Sequence, residues 1–176
     1  MSSIEEQLQS VGMELLGTCT DLAERSLQWH HGSALLEDMS DVEIRVLGSV
    51  MPMVRAAPGQ VLIAEGALGD WMLLLLSGTV DVLKLTDSGE STRLGVVKEG
   101  SAVGEMSMLD ASPRYASCIA IETVHAGVLT RGAIGALIDQ HPAVSAKLLV
   151  KLTQMLAQRL RKSSNKMIQL LREKQP

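Results

Sequence analysis

The sequence predicts a mainly β protein with flanking helices. The expected core is an antiparallel β-roll or jelly-roll barrel of about eight strands, with helices before it and one long helix after it. Three observations predict this class. Between Val54 and Val128, short β-branched and leucine-rich runs alternate with glycines at 59, 66, 69, 78, 89, 95, 100 and 104, the punctuation of short strands joined by turns. Before that interval, Leu8, Val11, Leu15 and Leu22 lie in a proline-free run that reads as helix. After it, Leu149, Leu152, Leu156, Leu160, Ser163, Met167 and Leu171 recur three or four residues apart, a single helical stripe.

In chain order, residues 4 to 28 are expected to be helical, with Gly12 and Gly17 as weak points. A second helix over 41 to 51 has Ser40 as N-cap and Glu43 at the reciprocal capping-box position, and Pro52 closes it. Within the strand region, Asp87-Ser88-Gly89 suits a hairpin loop. A short helix over Arg131 to Gln140 precedes His141-Pro142, and the long helix starts near Ala143, spanning about 45 Å at ~1.5 Å per residue. This divides the chain into an N-terminal helical extension (1–34), a barrel with short flanking helices (35–142) and the C-terminal helix (143–176).

Composition narrows the class. The 176 residues suit one domain with added helices. The longest apolar run, Trp71 to Leu76, is strand-sized and far short of the ~18 residues a membrane span needs. Glu5 and Glu6 stand where a secretory leader would be basic, so a cytoplasmic protein is expected. Cys19 and Cys118 have no metal-type spacing and read as reduced, partly buried side chains. Phenylalanine is absent and methionine numbers ten, so Leu, Val, Ile and Met fill the core. Trp29-His30-His31 has no carboxylate at ligand spacing, and no metal is expected.

Charge is uneven. From residue 147 onward, eight basic residues face the single Glu173, a net +7 that leaves −11 on the rest of a chain of formal charge −4. Such a helix can meet nucleic acid, an acidic partner or a membrane surface, or can be a solvated face beside its own acidic body. The apolar stripe outlasts what a small barrel could cover. A second copy packing along it, a two-fold homodimer, is the simplest cover.

The densest chemistry lies in Gly104-Glu105-Met106-Ser107-Met108-Leu109-Asp110-Ala111-Ser112-Pro113-Arg114-Tyr115-Ala116-Ser117. A glycine lets backbone approach a ligand, and successive N–H groups at a helix start cradle an anion. Arg114 offers a fork of donors matched to phosphate oxygens. Glu105 can accept from a sugar hydroxyl. The combination describes a pocket for a phosphate on a ribose.

This stretch resembles the phosphate-binding cassette of the cyclic nucleotide-binding domain family, through Gly104, Glu105, Arg114, Ala116 and Ser117. Pro58 to Gly66 resembles that family's first barrel strands and Leu76 to Val82 its middle hairpin, so the resemblance covers roughly residues 35 to 165. Gln158 to Met167 resembles the segment of the bacterial activators' dimer helix that touches adenine, with Ser163 and Ser164 in place of a Thr-Ser pair. Two residues depart from the pattern. Val103 replaces an aromatic, and bulky Tyr115 either lines the ligand or faces outward.

The resemblance implies that Arg114 neutralises a cyclic phosphate and that N–H groups of Glu105, Met106 and Ser107 share its oxygens. Glu105 would take the ribose 2′-OH, with an ion pair to Arg114 as the alternative role of both residues. Ser117 leaves cyclic GMP open while Ser163 and Ser164 favour cyclic AMP; cyclic di-GMP or another nucleotide is a further alternative. The expected function is a bacterial-type cyclic AMP receptor that changes conformation on binding and signals through an unidentified effector protein, as a homodimer. The alternative is the sensor part of a DNA-binding regulator. No winged helix-turn-helix precedes Pro176, so DNA binding by this chain alone is not expected. No nucleophile elbow, Walker motif or metal-hydrolase motif occurs, so no enzyme is expected.

Overall fold

The computed structural model describes residues 4–173. The chain opens with helix α1 (Ile4–Ser10), strand β1 (Glu14–Thr18) and helix α2 (Leu22–Ser26). Helix α3 (Asp41–Ser49) leads into β2 (Pro52–Ala56), β3 (Val61–Ile63), β4 (Trp71–Ser77), β5 (Val80–Leu85), β6 (Ser91–Val97) and β7 (Ala102–Val103). Helix α4 (Glu105–Asp110) interrupts the strands before β8 (Ser117–Ala120) and β9 (Val124–Thr130), and α5 (Arg131–Gln140) and α6 (Pro142–Glu173) finish the chain.

The fold class is as expected from sequence, with nine strands in place of about eight. They form two antiparallel sheets and not a closed barrel. The five-stranded sheet runs β1-β2-β9-β4-β7 and the four-stranded sheet β3-β8-β5-β6. The extra strand is β1, which falls inside the expected 4–28 helix. Gly12 turns the chain after α1, and Glu14 to Thr18 then pairs with Arg55 to Pro52 of β2. Helical spacing of Leu8 and Leu15 misled here. Leu8 is buried, but Leu15 lies exposed on an edge strand whose ladder to β2 supplies the backbone bonds a helix would have made.

Strand β4 shows how the core is divided. Trp71, Leu73 and Leu75 point between the sheets, where they meet Leu62, Ile63, Val80, Val103 and Val128. Met72, Leu74 and Leu76 point outward, under α2, α3, α5 and α6, against Leu22, Leu47, Leu137, Leu148 and Leu152. Side chains alternate across a strand, so a strand covered on both faces must be apolar at every position. That is why its six apolar residues run without interruption.

The helix ends follow local chemistry. The Ser40 hydroxyl accepts from the Glu43 N–H at 3.4 Å, and Glu43 Oε2 accepts from the Ser40 N–H at 2.7 Å, closing the expected capping box. Thr130 Oγ1 caps α5 by accepting from the Ala133 N–H at 3.0 Å. Pro142 opens α6, where a missing N–H costs nothing. Only the first half of α6 is docked: Val144, Leu148, Lys151 and Leu152 are buried, and every residue from Gln158 to Glu173 is exposed. No helix among the described residues is long and apolar enough to cross a membrane. Cys19 and Cys118 are both buried free thiols, and burial pushes each up to about 12.

Candidate functional site

The cassette is built around one glycine. Gly104 ends β7 with φ 82° and serves as N-cap of α4. A Cβ there would stand 2.8 Å from Arg114 Nη1 and from Ile63 Cδ1, so the turn needs glycine for both its angle and its space. At the far end, Ala111 adopts φ 60° and its N–H donates to the Ser107 carbonyl at 3.0 Å. The following turn is anchored to the 66–67 loop: the Arg114 N–H donates to the Ala67 carbonyl, and the Arg114 carbonyl accepts from the Gly66 N–H, each at 2.8 Å.

These constraints bring Arg114 back beneath Gly104. Its Nη1 donates to the Gly104 carbonyl at 2.8 Å and its Nη2 to the Trp71 carbonyl at 2.7 Å. The guanidinium lies 4.5 Å over the Trp71 ring and is 4 % exposed. Burial lowers its pKa from the ordinary arginine value, opposed by the negative charges of Asp70 and Glu105. Gly69 gives it room, since a Cβ at that position would lie 2.5 Å from Nη2.

Glu105, the first residue of α4, is 1 % exposed. The ion pair that sequence left open, Glu105 with Arg114, is not the one formed. Glu105 Oε1 accepts instead from Arg159 Nη1 of α6, whose Nη2 donates to the Ala102 carbonyl at 2.7 Å. Glu105 Oε2 is buried with no hydrogen-bond partner among the described residues. The site therefore holds one buried acceptor still open to a donor, beside an arginine that spends only part of its five N–H groups.

The remaining expected residues fall into three groups. Val103 and Ser107 are buried, Val103 pairing with Leu73 in the sheet and Ser107 supplying a carbonyl to Arg131 Nη2 at 3.2 Å. Met106 is exposed and Ala116 half-buried. Tyr115 is exposed, and its ring carries Lys84 Nζ at 4.7 Å, which gives it a place on the surface beside Arg114. Ser117 Oγ accepts from the Glu65 N–H at 3.0 Å, and its own proton stays available to a ligand. Ser163 and Ser164 lie on the projecting, exposed part of α6, one turn beyond Arg159.

Sequence reasoning missed Arg159 and Trp71. Arg159 enters the sequence reading as a positive charge of the tail and as part of the Gln158 to Met167 segment, without a role of its own, although it stands one helical turn before Ser163. The structure resolves that tail into two parts. Lys147 pairs with Glu43 at 2.8 Å, Lys151 with Asp38 at 2.6 Å and Glu37 at 3.2 Å, and Arg159 with Glu105. Arg161, Lys162, Lys166 and Arg172 remain on the exposed projection. Behind Arg159, a cavity of about 290 Å³ opens between His31, Ser101, Met155, Gln158 and Lys162.

Comparison with known proteins bears directly on this cassette. The pattern of the family described as "Cyclic nucleotide-binding domain" matches residues 53–141, about half of the chain, and contains Gly104, Glu105, Arg114 and Ser117. The chain belongs to the cyclic nucleotide-binding domain family. Among members, it is 31% identical over 113 residues to a CRP-like cAMP-activated global transcriptional regulator of Mycobacterium tuberculosis, covering 64% of this chain and 49% of that protein. It is 30% identical to the cyclic AMP receptor protein of Thermus thermophilus, covering 75% of this chain and 59% of the relative. A solved cyclic nucleotide-binding domain from Methylobacillus flagellatus KT superposes with a TM-score of 0.78 at 32% identity, covering 89% and 88% of the two chains. The chain thus spans about half the length of the curated relatives it matches. Family membership makes the cassette of Gly104, Glu105 and Arg114 part of a cyclic nucleotide-binding domain.

Proposed function

We propose that the protein is a receptor for cyclic AMP that binds without turnover and signals through a partner protein from a cytoplasmic location. The observation that carries this reading is that one glycine turn holds a buried arginine and, next to Gly104, a buried carboxylate oxygen with no donor among the described residues. Arg114 and the first-turn N–H groups of Glu105, Met106 and Ser107, which have no partners inside their own helix, would hold the cyclic phosphate. Glu105 Oε2 would accept the ribose 2′-OH, a bond a deoxyribose lacks. Val103, Ala116 and Ser117 would line the ribose and base, with Tyr115 at the rim. Ser163 and Ser164, from a second copy packed along α6, would face the adenine. No metal has a role in this scheme.

The relatives' names also support a second reading, the sensor part of a DNA-binding regulator, since the chain matches about half of a transcriptional regulator. Calorimetric titration with cyclic AMP, cyclic GMP and cyclic di-GMP tests the first. Cyclic AMP is expected to bind tightest and 2′-deoxy cyclic AMP at least tenfold weaker, about 1.4 kcal/mol. No heat with any of them defeats the receptor reading. Sequence-specific DNA binding by the 176-residue chain at physiological salt would favour the second.

A further inference from the structure

We infer that the N-terminal helix is part of the nucleotide site, acting through Gln7 and Trp71 as positioning residues for Arg114. This rests on the receptor reading above. Trp71 touches Arg114 twice: its carbonyl accepts from Nη2 at 2.7 Å, and its indole face lies 4.5 Å beneath the guanidinium. The indole is fixed in turn from the N-terminus, because Nε1 donates to Gln7 Oε1 of α1 at 3.1 Å. The inner part of this relay is buried, and Gln7 at its outer end is half-buried. Trp71 is 5 % and Arg114 4 % exposed, and Leu8, next to Gln7, is 1 % exposed in the cluster that contains Trp71.

The segment is also tied down independently of Trp71. Gln60 Nε2 donates to the Val11 carbonyl at 2.9 Å while Gln60 Oε1 accepts from the Ala57 N–H at 2.9 Å, and β1 pairs with β2. A shift of α1 therefore reaches the Trp71 ring through Gln7, and a shift of the ring moves the surface on which the guanidinium rests. An arginine with two Nη groups committed to main-chain carbonyls has few orientations left. The ring under it selects which remaining N–H groups face outward to a phosphate. Gln7 and Trp71 set the geometry of phosphate recognition and touch neither ribose nor base.

The test compares cyclic AMP with adenosine, which carries the same base and ribose without the phosphate, on the whole chain and on Gln7→Leu, Trp71→Phe and Trp71→Leu. Trp71→Leu is expected to weaken cyclic AMP about tenfold and Gln7→Leu about threefold, with adenosine affinity changed less than about twofold. Trp71→Phe keeps a ring under the guanidinium and falls between them. Should Trp71→Leu fail to fold, emission of Trp71 in the Trp29→Phe background gives the second measurement. It is expected to shift with cyclic AMP and not with adenosine, as the guanidinium re-pairs over the ring. Equal losses for both ligands, or no loss in any variant, overturn the inference while leaving the receptor reading intact. Failure of the unaltered chain to bind cyclic AMP removes both.

Discussion

Arg159 and Glu105, 54 residues apart in sequence, form the contact that joins the C-terminal helix to the cassette: Arg159 Nη1 donates to the buried Glu105 Oε1. Among the described residues it is the last ion pair between α6 and the body before the helix projects into solvent. Removing Arg159 leaves a carboxylate 1 % exposed without its hydrogen-bonded guanidinium. The pair is half-exposed on the arginine side, so Arg159→Ala is expected to cost about 2 kcal/mol, below the ~3–5 of a fully buried pair. Urea unfolding measures this, and a loss under about 0.5 kcal/mol would show that the contact contributes little.

A methyl group at position 69 probes the arginine without deleting it. Its Cβ would lie 2.5 Å from Arg114 Nη2, so the guanidinium must shift away from the Trp71 carbonyl that holds it. Gly69→Ala is expected to weaken cyclic AMP about tenfold, roughly the loss of one charge-assisted contact, with the fold intact by circular dichroism. Unchanged affinity would mean that the guanidinium meets the phosphate from another position.

The exposed half of α6 still carries Leu160, Met167 and Leu171, which are 69 %, 63 % and 59 % exposed on one face. An apolar stripe of this length in water calls for a partner, and a second copy is expected to supply it. Sedimentation equilibrium should give a dimer for the unaltered chain and a monomer for the Leu160→Glu, Met167→Glu double variant. A monomer at tens of micromolar for the unaltered chain contradicts the expectation.

His125 gives a pH dependence of known sign. Burial first, then the positive charges of Arg25 and Arg55, lower its pKa below the ordinary value of 6.5. The folded protein thus favours the neutral ring, whose Nδ1 lies 3.0 Å from Ser77 Oγ. Between the folded and unfolded values the unfolded chain binds more protons. The contribution to stability is therefore full above pH 6.5 and is lost as pH falls through the folded value. The urea midpoint should drop between pH 7.5 and 5.5, and drop less in His125→Gln. Equal slopes in the two proteins would assign the effect to other groups.

Much of the fold was legible because its signals are local. The capping box of Ser40 and Glu43, the α5 boundaries, the Asp87 to Gly89 hairpin and the apolar run of β4 each depend on residues a few positions apart. Strand β1 was not legible, because five residues with Gly17 among them become a strand only when Arg55 to Pro52 offer a ladder. The site divided in the same way. Gly104, Glu105 and Arg114 announce a phosphate cradle by type and spacing, whereas the choice of Arg159 over Arg114 as partner of Glu105 is a long-range one.

By itself, then, the sequence determined the glycine-punctuated strands, the cassette and the amphipathic helix after it. Backbone geometry and side-chain periodicity act over one to four residues and leave their mark in the chain. Tertiary structure alone decided what each buried charge would meet. Arg114 is met by the Gly104 and Trp71 carbonyls and the Trp71 ring, and Glu105 by a guanidinium from α6. Desolvation makes an unpartnered buried ion costly, so the partner is fixed by whichever donor or acceptor the packed elements deliver to that spot. No spacing rule in the sequence encodes that delivery.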